Sequence, residues 1–148
     1  MINSEIKATG RLSVVLKDSS GQVKDSRDIN NLVVTSGLGY IASRMKDTTE
    51  GAMSYMAIGT GTVAAAAGDT TLGTELDRNA LTSTTVTDNQ IAYVASWAAG
   101  DGTGAVTEAG IFNDVTAGTM LARTVFDVVN KAANDSLSIT WTITLSAS

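Results

Sequence analysis

The clearest pattern in the chain lies at its C-terminal end. In "SLSITWTITLS", Leu137, Ile139, Trp141, Ile143 and Leu145 alternate with Ser138, Thr140, Thr142, Thr144 and Ser146. Strict period two over this length, carried by β-branched types, predicts a long antiparallel strand with one apolar and one hydroxyl-rich face. The same alternation places Leu12, Val14 and Leu16 on one face of "GRLSVVLKD". The cluster Asp18 to Gly21 is a turn, after which "QVKDSRDINNLVV" resumes, so the two runs are expected to pair as a hairpin. "NQIAYVASWAA" sets Ile91, Tyr93, Ala95 and Trp97 against Ala92, Val94 and Ser96. "AVTEAGIFN" and "TMLARTVFDVV" predict two further strands divided by "DVTAG", and "KAAND" turns the chain into the last one. "LTSTTVTD" reads as a strand because Thr and Val suit pleated structure.

One segment departs from period two. In "TSGLGYIASRMK", Leu38, Ile41, Ala42 and Met45 fall at i, i+3, i+4 and i+7. Thr35 or Ser36 can cap the N-terminus, and Arg44 and Lys46 suit the last turn. This predicts one amphipathic helix over about residues 35–46. Gly37 and Gly39 weaken it, which makes sense where a helix backbone lies close to a sheet. Between the helix and "LTSTTVTD", the stretch "MAIGTGTVAAAAGDTTLGTEL" reads as a strand ending near Gly59. A flexible loop of small residues follows, then a return to the sheet near Leu76.

The sum is seven or eight strands and one short helix, with turns at intervals of about 8–12 residues. The fold class is therefore mostly β: an antiparallel β-sandwich, of which a jelly-roll is one form. The expected organisation is a single domain over residues 1–148, with residues 1–9 either an N-terminal arm or simply the start of the first strand.

Composition narrows the chemistry. Of 148 residues 43% are hydrophobic, which is too apolar for a disordered chain. No stretch approaches the roughly 20 apolar residues of a membrane span, and "MINSEIKATG" has no apolar signal region, so the chain is expected to fold in a cytoplasm. There is no Cys, His or Pro. That removes thiolate nucleophiles, disulfides, imidazole metal ligands and the commonest general acid–base group. The net charge is −5. Residues 1–50 carry seven Lys/Arg against six Asp/Glu, and the remainder three against nine. No basic block is dense enough for nucleic acid.

Candidate sites are few. Gly59, Gly61 and Gly68 lie in the glycine-rich loop, but Asp69 follows where a phosphate-binding loop places Lys. No helix opens behind the glycines either, so the loop is read as a surface connection whose glycines supply positive φ. Asp69, Glu75, Asp77, Asp101, Glu108 and Asp114 could pair for acid–base work or assemble a calcium site from several loops, although no contiguous calcium-loop motif is present. Glu108 sits inside an apolar strand. With Arg78 and Arg123 as possible partners it reads as a structural (framework) ion pair, or else as a carboxylate accepting backbone N–H bonds. A catalytic Glu would need a cleft and a second group, which the sequence does not identify. Among seven scattered aromatic residues, Trp97 beside a glycine-rich turn is the one candidate for a sugar platform.

The order and spacing of "NLVVTSGLGYIASRM", "MAIGTGT", "DTTLGTELDR", "TEAGIF", "GTMLARTVF" and "DSLSITWTIT", from about Asn31 to Leu145, resemble a layout of tailed-bacteriophage virion proteins. The likeness is to small head-decoration (cement) proteins and to related tail-collar and tail-fibre domains. The resemblance implies a non-enzymatic structural β-sandwich without cofactors. It also implies a homotrimer that sits on the capsid exterior and clamps the major capsid protein, without binding nucleic acid or membrane. The alternatives are a tail-collar, tail-fibre or baseplate-associated structural protein and, from a different class, a carbohydrate-binding module. Arg78 and Glu108 would be framework residues. The loop Thr62, Val63, Ala64, Ala65, Ala66 and Ala67, uncharged and small, is where a subunit or capsid contact is expected.

Overall fold

Residues 5–46 and 50–147 are described by a computed structural model. They form nine strands and one helix in the order β1 (Ile6–Lys17), β2 (Val23–Val33), α1 (Thr35–Lys46), β3 (Tyr55–Gly59), β4 (Glu75–Ala80), β5 (Ser83–Thr87), β6 (Gln90–Trp97), β7 (Gly104–Phe112), β8 (Met120–Lys131) and β9 (Ser136–Ala147). The mostly β, antiparallel class read from the alternation is the class of the molecule. Its two layers are the halves of one curled sheet of order β4-β3-β7-β8-β2-β1-β9-β6-β5.

The strands β1 and β2, β3 and β4, β5 and β6, and β7 and β8 pair with one another in sequence order, whereas the turn at residues 132–135 carries the chain from β8 in one half to β9 in the other. Asp18 builds the first turn by accepting hydrogen bonds from the N–H groups of Ser20 and Gln22, with Gly21 at φ 86°. The β1–β2 hairpin then runs from Lys17↔Val23 to Gly10↔Asn31. On its other side β1 pairs with β9 along its whole length, from Lys17↔Ser136 to Ile6↔Ala147. Residues 6–9 are thus strand and not an arm, while residues 1–4 lie outside the described part. The two halves are joined through β2 and β8. Among the described residues the backbone pairing of these strands is limited to Leu32↔Arg123 and Val33↔Ala122, with Arg27 donating to the Asp127 and Val128 carbonyls and the Thr124 hydroxyl to the Asn30 carbonyl. The cohesion of the halves comes from the apolar faces pressed together. Leu12, Val14, Trp97, Ile139 and Trp141 of one half meet Met56, Ile58, Val106 and Ile111 of the other, all of them 0–1% exposed.

A second, smaller core lies on the far side of the β3–β7–β8 half, where Val34, Ala57, Leu72, Phe112 and Met120 are buried together. Leu72 belongs to the segment between β3 and β4, so that segment is a cover and not an excursion into solvent. Strand β7 is therefore buried on both faces over Val106–Phe112. Both faces of β7 thus resemble those of a central strand, and its apolar residues need not alternate with polar ones.

Two expectations are corrected here. Among the described residues the strands number nine and not seven or eight: the expected return to the sheet near Leu76 is a strand of its own, β4, with the polar sequence "ELDRNA" at the sheet edge. The helix spans the expected residues, but it packs chiefly through Gly37 and Tyr40, both buried, and of the expected stripe only Ile41 is half-buried against the core. Leu38 is 50% and Met45 82% exposed. Gly37 allows the approach: a Cβ there would overlap the main-chain carbonyl of Leu121 on β8, whereas Gly39 faces open space. The Ser36 hydroxyl donates to the Met120 carbonyl at 2.9 Å, so it ties the helix to β8.

Candidate functional site

Strand β7 places Glu108 on the face turned towards the 60–74 segment, and β8 places Arg123 beside it. Glu108 is 0% and Arg123 3% exposed. The Arg123 Nη2 and Nε atoms donate to Glu108 Oε1 at 2.9 and 3.2 Å. The Gly73 N–H donates to the same oxygen at 2.7 Å, and Oε2 accepts from the N–H groups of Gly61 (2.6 Å) and Thr74 (2.8 Å). Five donors thus converge on one carboxylate. Arg123 also pairs through Nη1 with Asp69 Oδ2 at 2.8 Å and through Nη2 with the Val63 carbonyl at 3.0 Å.

The glycines have a specific reason to be there. A Cβ on Gly59 or on Gly61 would run into the Glu108 carboxylate. Neither they nor Gly68 adopt positive φ, so the expectation that they serve backbone conformation is replaced by one of close approach. The glycine-rich loop does cradle an anion with its N–H groups, and that anion is the protein's own buried glutamate.

Electrostatics agree with this geometry. Burial disfavours the charged Glu108, but the N–H groups of Thr74 and Gly73, then Arg123 and Gly61, outweigh it and hold the carboxyl below its ordinary range. Asp69 is likewise lowered, first by the Ala66 N–H and then by Arg123. For Arg123 burial opposes the charge and its two carboxylate partners more than restore it. The strong acceptor sites of Glu108 are filled and no solvent reaches it, so it is not placed to exchange protons with a substrate.

The other expected residues sort plainly. Arg78 does not join Glu108. It donates to Glu75 (2.7 Å) and to the carbonyls of Asp114 and Ala117 (2.9 Å each), with its guanidinium 3.8 Å over the Phe112 ring. It thereby covers the smaller core and fastens the β7–β8 connection. Trp97 is 0% exposed and offers no platform to a sugar. Among the described residues no three acidic side chains converge to hold a metal, and no helix is long and apolar enough to cross a membrane.

The Thr62–Ala67 loop is pinned rather than free-running. The Ala66 N–H donates to Asp69 Oδ2 at 2.8 Å, the Ala67 carbonyl accepts from the Thr35 N–H at 2.8 Å, and Val63 is held by Arg123. Its side chains nevertheless face outward, with Val63 77% exposed. Sequence reasoning did not foresee Gly73 and Thr74 as donors. The available signal was a pair of glycine-bearing segments, "GTG" and "LGT", flanking a loop opposite a solitary buried acid.

A second feature is the outer face of β1, β2 and β9. It forms an open groove of about 440 Å³ lined by Thr9, Arg11, Asp28, Thr140, Thr142 and Thr144. This is the hydroxyl face of the C-terminal strand, and its chemistry is that of a polar contact surface. No family model, curated protein or solved structure matches the chain.

Proposed function

We propose that the protein is a structural component of a bacteriophage virion, acting as a capsid decoration protein. The observation that carries this reading is the anchored loop. A buried lock of Glu108, Arg123 and Asp69 holds Thr62–Ala67 in place while its small, uncharged side chains project outward. Such a surface gives close contact with little ordering cost on binding. Glu108, Arg123 and Asp69 are engaged in holding the fold, in keeping with a non-enzymatic role. A protein that binds the assembled shell and not its separated subunits stabilises the shell by linkage, and repetition on a lattice multiplies a weak contact.

The test is to compare virions with and without the protein for survival of heat and osmotic shock, and to repeat the assay with Val63→Asp. Loss of shell stability without the protein, and failure of the folded variant to restore it, are the expected results. Shells equally robust in all three cases reject the cement role. Imaging virions that carry a labelled copy distinguishes a head position from a tail position.

A further inference from the structure

The two ends of the sheet are treated differently. At one end, β4 carries Glu75, Asp77 and Arg78, is itself bulged at Leu76 opposite Ile58 and Gly59 of β3, and reaches across to β6 through Asn79 Nδ2 to the Ser96 carbonyl at 2.9 Å. Charges, irregularity and a covering contact are the usual means of keeping an edge from pairing. At the other end, β5 has none of these. Its sequence, "STTVT", is uncharged, free of Gly and Pro, and exposed at all five positions. It ends the strand order, so its outward N–H and C=O groups have no neighbouring strand among the described residues.

The sandwich is also open on this side. Val86 pairs with Ile91 and Thr84 with Tyr93, which places these residues on the inner face of the sheet. Opposite them stand Tyr40 and Ile41 of α1, across an apolar cleft of about 230 Å³ at the Val86 end and a second of about 280 Å³ at the Thr84 end. Val86, inward-facing yet 69% exposed, is left at the mouth of this cleft. A bare edge and an uncovered apolar cleft at one place suit the same occupant, an extended uncharged strand that sets an apolar side chain on its inner face.

We infer that this occupant is β5 of a second copy of the chain, paired antiparallel across a two-fold axis through Thr85. A two-fold axis normal to the sheet keeps inner faces inner, so Thr84 lies opposite Val86 of the partner subunit and each Val86 is covered. The charges at the rim agree. Asp88 lines the Val86 end of the cleft and Arg44 the Thr84 end. Antiparallel pairing carries Asp88 past the partner's Thr84, to the end where the partner's Arg44 stands, twice per dimer. This contact holds whether or not the protein belongs to a virion.

The chain has no cysteine, so Thr85→Cys introduces its sole thiol. Directly opposed Cβ atoms in an antiparallel pair lie about 4.5–5.5 Å apart, close enough to bridge with slight adjustment. Light scattering on the full chain is expected to report a dimer. Mild oxidation of Thr85→Cys should yield a disulfide-linked dimer, and Thr140→Cys, on the outer face away from the edge, should stay unlinked. Val86→Lys should be monomeric, and Asp88→Asn should weaken the dimer roughly three- to tenfold. A monomer at every concentration, or a trimer in which Thr85→Cys remains a free thiol, overturns the inference. Should Val86→Lys fail to fold, the cross-linking result decides alone.

Discussion

Glu108 shows how one side chain can account for a run of sequence that otherwise looks arbitrary. Its carboxylate gathers the N–H groups of Gly61, Gly73 and Thr74 and the guanidinium of Arg123, so the segment between β3 and β4 folds back over β7. Glu108→Gln would leave Arg123 short of its buried counter-charge and set an amide against backbone donors. Breaking one side of a buried pair costs about 3–5 kcal/mol, to be read as a lower urea midpoint. The same variant tests the titration. Because Glu108 is held below its ordinary range, it stabilises the fold at pH above the unfolded value of about 4.3 and loses that contribution as pH falls through the lower, folded value. The wild-type midpoint should therefore drop steeply in acid, and that of Glu108→Gln should start lower and fall less.

At the scale of elements, the helix is the instructive case. Its limits at Thr35 and Lys46 follow from local sequence, yet its orientation does not. The Leu38–Met45 stripe satisfies helical periodicity, but the tighter contact is available on the side where Gly37 lets the backbone meet the Leu121 carbonyl. Gly37→Ala should push α1 off β8 and cost about 1–3 kcal/mol. Gly39→Ala, with nothing in its way, should gain up to about 1 kcal/mol from helix propensity. Thermal melts of the two variants should move in opposite directions. The strands divide by the same logic. β9 and β6 announce themselves because one face is core and the other is not. β4 shows only as a return to the sheet near Leu76, without alternation, because a guarded edge is polar.

The whole molecule is one sheet folded on itself, with backbone pairing between its halves limited, among the described residues, to two residue pairs. Backbone pairing alone would not hold such halves together, so the shared apolar interior must. Trp141, 0% exposed at the centre of β9, lies in that interior. Trp141→Ala should cost about 3–5 kcal/mol. If the halves depend on one another, circular dichroism and the fluorescence of Trp97 will report a single shared transition at the lower midpoint. Two separated transitions would show that each half stands alone. The edge of this sheet at β5 and the cleft beside it are properties at the same scale, since no residue of "STTVT" is unusual by itself.

The sequence by itself determined the β class, the apolar faces of β1, β6 and β9, the first hairpin and the extent of the helix. These depend on periodicity and turn chemistry, which act over a few residues. It also marked Glu108 as an acid in an apolar strand with Arg123 as a possible partner. Only the tertiary structure chose Arg123 over Arg78, brought Gly61, Gly73 and Thr74 to the same carboxylate, buried Trp97 and left Leu38 and Met45 of the helix stripe exposed. Each of those outcomes joins segments far apart in the chain. Charge, volume and backbone donors there must be satisfied together within one closed space, and spacing along the sequence carries no record of that.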